Sequence, residues 1–304
     1  MQDATVMYGV GAAQAGTSWL NAYCATHPSV AVPALGALHY FDALEGGAPS
    51  TVASLKGARE LALKLYYARN GRNVAPASQA TIDAHLDEIN DWFDAFSGHE
   101  VDDQAYITYL QNLAGDAAVV VDITDEYGTL SQKGFKHMLS AAPDAKIVMI
   151  LRDPLDRLWA DIQSVAKTRD EGRADVGDLA RSIFAGLIDG QEPDIAARSN
   201  YKKLLRLAHK NAKDGRVLIL FYEELGLAQT AHALCSFLDI PQTQSYPQAP
   251  EAMDEFAMMS EAIRKRAVRW LQTQYEAVAE VVTDLPAAWH KTMAYGNAPK
   301  LAKV

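Results

Sequence analysis

The residue types best suited to chemistry sit where an apolar run meets small side chains, in Gly9-Val10-Gly11-Ala12-Ala13-Gln14-Ala15-Gly16-Thr17-Ser18-Trp19-Leu20. Small residues let a ligand approach the backbone. A helix opening at Thr17 and Ser18 offers unpaired N–H groups and the positive end of its dipole. Such a turn suits a phosphate. Its spacing is that of the nucleotide loop G-x-x-x-x-G-K-[ST], with Thr17 where that loop carries lysine. Losing the cation that touches the β and γ phosphates argues against ATP or GTP cleavage. A ligand-free glycine-rich turn is the alternative for the segment taken alone.

A second chemical group is Arg152, which ends an apolar run and precedes Asp153-Pro154-Leu155-Asp156-Arg157. A guanidinium at a strand end, beside a helix start, can contact a phosphate through two parallel hydrogen bonds. An ion pair with Asp153 or Asp156 is the competing use.

Short apolar runs at 5–10, 118–121, 146–151 and 217–221 predict buried strands, and the helical patterns between them predict a parallel α/β sheet covered on both faces. Asp153 is expected to cap a helix with Pro154 at its first position and an apolar stripe of Leu155, Leu158, Trp159, Ile162, Val165 and Ala166. Tyr201, Leu204, Leu205 and Ala208 form a similar stripe. One helix from about Ser260 is expected to carry Ile263, Ala267, Trp270 and Val278 on one side. The stretch 46–115 reads as a mostly helical insertion with polar breaks such as Asn70-Gly71-Arg72-Asn73. The expected organisation is one α/β domain over residues 1–304.

A net charge of −10 argues against nucleic-acid partners and polyanionic acceptors. The two cysteines, Cys24 and Cys235, lack metal-type or CxxC spacing, so the expectation is a reducing cytoplasm and no metal centre. No leader-like segment opens the sequence, and no apolar run reaches the roughly 18 residues a membrane span needs. No sequence signal sets the oligomeric state.

The ordered set of motifs resembles the sulfotransferases that use 3′-phosphoadenosine 5′-phosphosulfate (PAPS), particularly their bacterial branch. These carry a loop of the form Lys-x-Gly-Thr-Thr-Trp, matched here by Gln14-Ala15-Gly16-Thr17-Ser18-Trp19. Their His-Pro and Glu-Leu-His-Tyr-Phe-Asp elements correspond to His27-Pro28 and Ala37-Leu38-His39-Tyr40-Phe41-Asp42. The strand ending in Arg-Asp-Pro is matched at Arg152-Asp153-Pro154, and Phe-Tyr-Glu-Asp-Leu at Phe221-Tyr222-Glu223-Glu224-Leu225. Phe237-Leu238-Asp239-Ile240 stands for a Phe-Leu-Gly element.

This resemblance implies a P-loop-like sulfotransferase fold and sulfuryl transfer from PAPS to a hydroxyl or amine of a small-molecule acceptor. It implies cofactor binding by Ala15, Gly16, Thr17, Ser18, Trp19, Arg152 and Tyr222, with Arg152 at the 3′-phosphate and the two aromatic rings near adenine. A base stacked on such a ring gains roughly 1–3 kcal/mol; for Trp19 plain core packing is the equal alternative.

Four positions depart from the family pattern. The loop lysine is Gln14, the branch's candidate base is Ala37, a 3′-phosphate serine is Ala160, and a lysine after the third strand falls on Ile123. Losing a charge-stabilising donor costs about 3 kcal/mol by analogy with an oxyanion hole, and a general base is worth roughly 10²–10⁴ in rate. The catalytic candidates are therefore Gln14, His39 and Asp125, with Asp122 as a further possible base. Against this stand a core or rim role for His39 and a turn cap for Asp125. The alternative to an active enzyme is a degenerate or repurposed protein of this fold that binds a nucleotide or another anion without transfer.

Overall fold

Valine, isoleucine and leucine dominate the predicted strands, and their branched side chains pack well on a pleated surface buried on both sides. In the computed structural model these runs become β1 (Thr5–Gly9), β3 (Val119–Ile123), β4 (Lys146–Leu151) and β5 (Val217–Phe221). The structure describes residues 3–46, 87–88, 90–92, 102–170, 175–212, 215–243, 246–250 and 259–296. A two-residue strand, β2 (Val30–Ala31), completes a parallel sheet of order β2-β3-β1-β4-β5. The sequence reading lacked β2, which is too short to show a period and stops before Pro33.

β1 is the middle strand. Its register pairs Gly9 with Ile123 on β3 and with Val148 on β4, and β4 continues until Leu151 lies beside Phe221 of β5. The chain order reverses around β1, so the carboxyl ends of β3, β1, β4 and β5 converge on one crevice, where open α/β sheets bind ligands.

The helices cover both faces: α1 (Thr17–Thr26), α2 (Tyr40–Gly46), α3 (Asp103–Ala114), α4 (Gln132–Ala141), α5 (Pro154–Arg169), α6 (Val176–Ile188), α7 (Pro193–Arg198), α8 (Tyr201–Asn211), α9 (Ala228–Leu238), α10 (Glu261–Trp270), α11 (Gln272–Ala279) and α12 (Ala287–Met293). Asp153 caps α5 as expected, accepting from the Leu155 N–H at 2.9 Å, with Pro154 in the first turn. Leu155, Leu158, Trp159, Ile162 and Ala166 are buried, as are Tyr201, Leu204, Leu205 and Ala208. Ser260 caps α10, but the single helix expected there breaks at Leu271, which ends α10 and begins α11. Most of the predicted insertion at 46–115 lies outside the described residues; residues 87–88, 90–92 and α3 within it are helical. Cys24 and Cys235 are buried free thiols. Among the described residues no helix is long and apolar enough to cross a membrane.

Beside β1, Asp122 of β3 is fully buried and accepts three hydroxyl hydrogen bonds, from Tyr106, Tyr127 and Thr124, each at 2.7 Å. Burial raises its pKa, and these three donors oppose that rise. Two of these hydroxyls also hold the segment leading into α2. Thr124 Oγ1 accepts from the N–H groups of Leu38 at 3.1 Å and His39 at 3.4 Å, and the Tyr127 hydroxyl accepts from Tyr40 N–H at 3.0 Å. One carboxylate thus organises the strap that carries His39. Replacing Asp122 by Ala leaves three buried hydroxyls short of an acceptor, each costing about 1–3 kcal/mol. Urea unfolding is expected to show a loss of about 3 kcal/mol or more for Asp122→Ala.

Candidate active site

The loop after β1 is built by close packing rather than by its own side chains. A Cβ on residue 9 would lie 2.9 Å from Ile123 Cγ2, so only glycine fits beside that isoleucine. This contact accounts for Ile123: its side chain covers Gly9 of the neighbouring strand, where the family pattern has a lysine. The loop then bonds to β4, with Ile150 N–H donating to Gly11 carbonyl at 2.8 Å and Ala12 N–H to Ile150 carbonyl at 2.7 Å. Gly16 adopts φ +100°, and a Cβ there would meet Leu225 Cδ1 at 2.6 Å and Tyr222 Cδ2 at 3.1 Å. Three strand ends therefore set the path of residues 9–16.

Gly16 is the N-cap of α1 and no side chain caps that helix. The N–H groups at its start remain available to an anion, beside the half-buried Thr17 and exposed Ser18. Gln14 is exposed at φ +63°, and Ala15 is buried.

Arg152 closes the other side. Its guanidinium donates to the Gln14 carbonyl at 3.0 Å and lies over the Tyr222 ring, 4.2 Å from the centroid. Stacking on Tyr222 fixes its plane. The backbone of residue 152 is held by Tyr201, whose hydroxyl donates to the Arg152 carbonyl at 2.8 Å and accepts from its N–H at 3.1 Å. Glu223 accepts from the Asp153 N–H at 2.8 Å. Asp153 is committed to Leu155 N–H and, at 2.6 Å, the Tyr275 hydroxyl, and burial pushes its pKa up to about 7. The structure thus joins Ala15, Gly16, Thr17, Ser18, Arg152 and Tyr222 around one crevice. Trp19 faces the core: it is 4% exposed, stacked on Tyr23 at 5.4 Å, with Nε1 donating to Pro247 carbonyl at 3.2 Å.

Two of the catalytic candidates, His39 and Asp125, lie on the β3 side, while Gln14 sits in the loop facing Arg152. A Cβ on residue 11 would lie 3.0 Å from the Asp125 carbonyl, so the short helical turn Asp125–Thr129 touches the loop. Asp125 is the first residue of that turn and Thr124 is its cap, which corrects the expectation that Asp125 could cap it. His39, at φ +55°, places Nδ1 3.0 Å from Asp42 Oδ2 and 3.7 Å from Glu126 Oε2. Burial alone lowers the His39 pKa, but the hydrogen bond and charge of Asp42, with Glu126 behind it, outweigh burial and raise it above the usual 6.5. Burial, then the charge of Asp125, pushes Glu126 up to about 7. Asp42 and Glu126 thus supply carboxylates next to the strap where Ala37 lacks one. Sequence reasoning placed Tyr201 only in a helix stripe and gave Glu126 and Glu223 no site role, because each meets its partner only through the fold.

Residues 7–244 match the family model described as "Sulfotransferase family". The chain belongs to the sulfotransferase family, and is a transferase by class. Among solved structures, it is similar to a sulfotransferase from Alicyclobacillus acidocaldarius at 19% identity, covering 95% of this chain and 100% of that one, with a TM-score of 0.61. A sulfotransferase domain from the Synechococcus PCC 7002 olefin synthase aligns at 16% identity over 97% and 93% of the two chains, with a TM-score of 0.44, and adds nothing to the argument. No curated protein sequence matches significantly. The sulfotransferase match begins within β1 and ends after α9, so it takes in every strand.

A carboxylate beside an imidazole favours the protonated ring, and its removal leaves burial to act alone. In Asp42→Asn the pKa of His39 is therefore expected to fall below that of the parent protein. Titration of the His39 ring by NMR reads this directly; an unchanged or higher value would show that Asp42 does not hold the imidazole's charge.

Proposed function

We propose that this sulfotransferase moves a sulfuryl group from PAPS to a hydroxyl or amine of a small acceptor, as one α/β domain working in a reducing cytoplasm. The observation that carries this reading is Arg152, locked between the Gln14 carbonyl and the Tyr222 ring beside an uncapped helix start. That grouping offers an anionic nucleotide a fixed guanidinium, backbone donors and an aromatic face. When bound, PAPS supplies a sulfuryl group activated by its attachment to phosphate.

The remaining work falls to the chain. The N–H groups at the start of α1, with the Thr17 and Ser18 hydroxyls, hold negative charge in place, and a preorganised donor array does so without reorganising. Gln14 adds a neutral amide donor from the loop. Arg152 anchors the phosphate distal to the reaction. His39 takes the acceptor's proton: with Nδ1–H donated to Asp42, Nε2 carries the free lone pair, and Asp42 stabilises the imidazolium that forms.

Calorimetry with 3′-phosphoadenosine 5′-phosphate (PAP), the product nucleotide, tests this reading. Binding in the micromolar range is expected, with Arg152→Ala weaker by about tenfold or more, as suits loss of a charge-assisted contact. Absence of heat and of any thermal stabilisation at millimolar PAP would sink the proposal. A bound nucleotide with no transfer of labelled sulfate to any hydroxyl or amine acceptor would instead favour the degenerate form of the fold.

A further inference from the structure

Gln14 leaves the loop without its own cation, yet a second guanidinium lies against the same loop. Arg157, on the first turns of α5, is 1% exposed. Its Nη1 approaches the Ala13 carbonyl at 3.4 Å and Asp161 Oδ2 at 3.2 Å, and Nη2 bonds the Ser199 hydroxyl. Asp161 is not its counter-ion alone. Arg198 also donates to that carboxylate, through Nε at 3.0 and 3.1 Å and Nη2 at 3.0 Å. Two guanidiniums share one carboxylate, so the group keeps a net positive charge.

A buried cation with a shared counter-ion is costly to maintain, and its field is poorly screened. Here that field bears on the loop. The carbonyls of Ala13 and Gln14, consecutive in the chain, each accept from a guanidinium, Arg157 and Arg152 respectively. Across a trans peptide the N–H points opposite to the carbonyl. The Gln14 N–H is therefore turned away from Arg157, and the Ala15 N–H closes the turn on Ala12 carbonyl at 3.1 Å.

We infer that Arg157 is a positioning residue for the anion loop, supplying from beneath it the positive charge that Gln14 does not carry. The inference rests on the proposed nucleotide binding and assigns part of it to a residue that touches no ligand. Arg157→Gln leaves Asp161 paired with Arg198, and Ser199 still donates to the Ile195 carbonyl at 2.7 Å, so no buried charge is stranded.

The test is a double-mutant cycle on PAP affinity by calorimetry, with thermal melting of each ligand-free protein alongside. Arg157→Gln is expected to weaken PAP about tenfold or more. Adding Gln14→Lys to that variant is expected to recover most of the loss, and the gain from Gln14→Lys is expected to be smaller in the parent, where Arg157 already serves the loop. A merely structural arginine would not be rescued from the loop. PAP binding by folded Arg157→Gln within about twofold of the parent would overturn the inference, as would an equal gain from Gln14→Lys in both backgrounds. Should Arg157→Gln fail to fold, the paired change Arg157→Gln with Asp161→Asn takes its place; failure of both would make Arg157 a structural residue and overturn the inference too. A parent protein that binds no PAP defeats the proposed function itself, an outcome separate from a parent that binds and a variant that binds equally well.

Discussion

The site depends on how tightly the loop after β1 is wedged among the ends of three other strands. Gly9 makes room for Ile123 of β3, the Gly11–Ala12 backbone bonds to Ile150 of β4, and Gly16 abuts Tyr222 and Leu225 beyond β5. None of these contacts involves a ligand. Together they dictate a backbone path that delivers α1 with no side chain capping its first turn. A side chain at position 9 or 16 would have to displace the core before it could disturb the chemistry.

Charge is distributed around this loop in an unusual way. Arginines, not a loop lysine, provide the positive potential: Arg152 from the end of β4 and Arg157 from α5 both reach loop carbonyls. Opposite them, His39, Asp42 and Glu126 gather where α2 meets the turn after β3, and the two carboxylates keep the imidazole's pKa high. Buried Asp122 ties the two regions, since its hydroxyl partners also hold the His39 strap next to the strand that flanks β1. The crevice is thus basic on its β4 side and acidic with a histidine on its β3 side. That polarity suits an anionic donor on one side and a proton-releasing acceptor on the other.

Of the four positions that depart from the family pattern, two besides Gln14 have a structural counterpart. Ile123 is core, packed on Gly9. Ala37 lies beside a strap whose histidine draws carboxylates from Asp42 and Glu126. Ala160 is simply buried on α5, with no group described as replacing its hydroxyl. Family membership follows from the match over residues 7–244.

Much was legible in the sequence because it is governed by local rules. Strand runs of β-branched residues, the Asp153-Pro154 cap and the glycine spacing of the loop each express a neighbour-to-neighbour constraint, and each appears in the fold where expected. The Ser260 helix was anticipated in place but not in length, because the break at Leu271 answers to packing and not to any proline or glycine. What the tertiary structure alone decided are the pairings between distant residues: Tyr201 on Arg152, Glu126 near His39, Arg157 beneath Ala13 and Trp19 turned inward on Tyr23. The physical reason is that a side chain's type and position along the chain say what it can bond to, whereas burial and the approach of elements far apart in sequence determine which partner it meets and in which charge state.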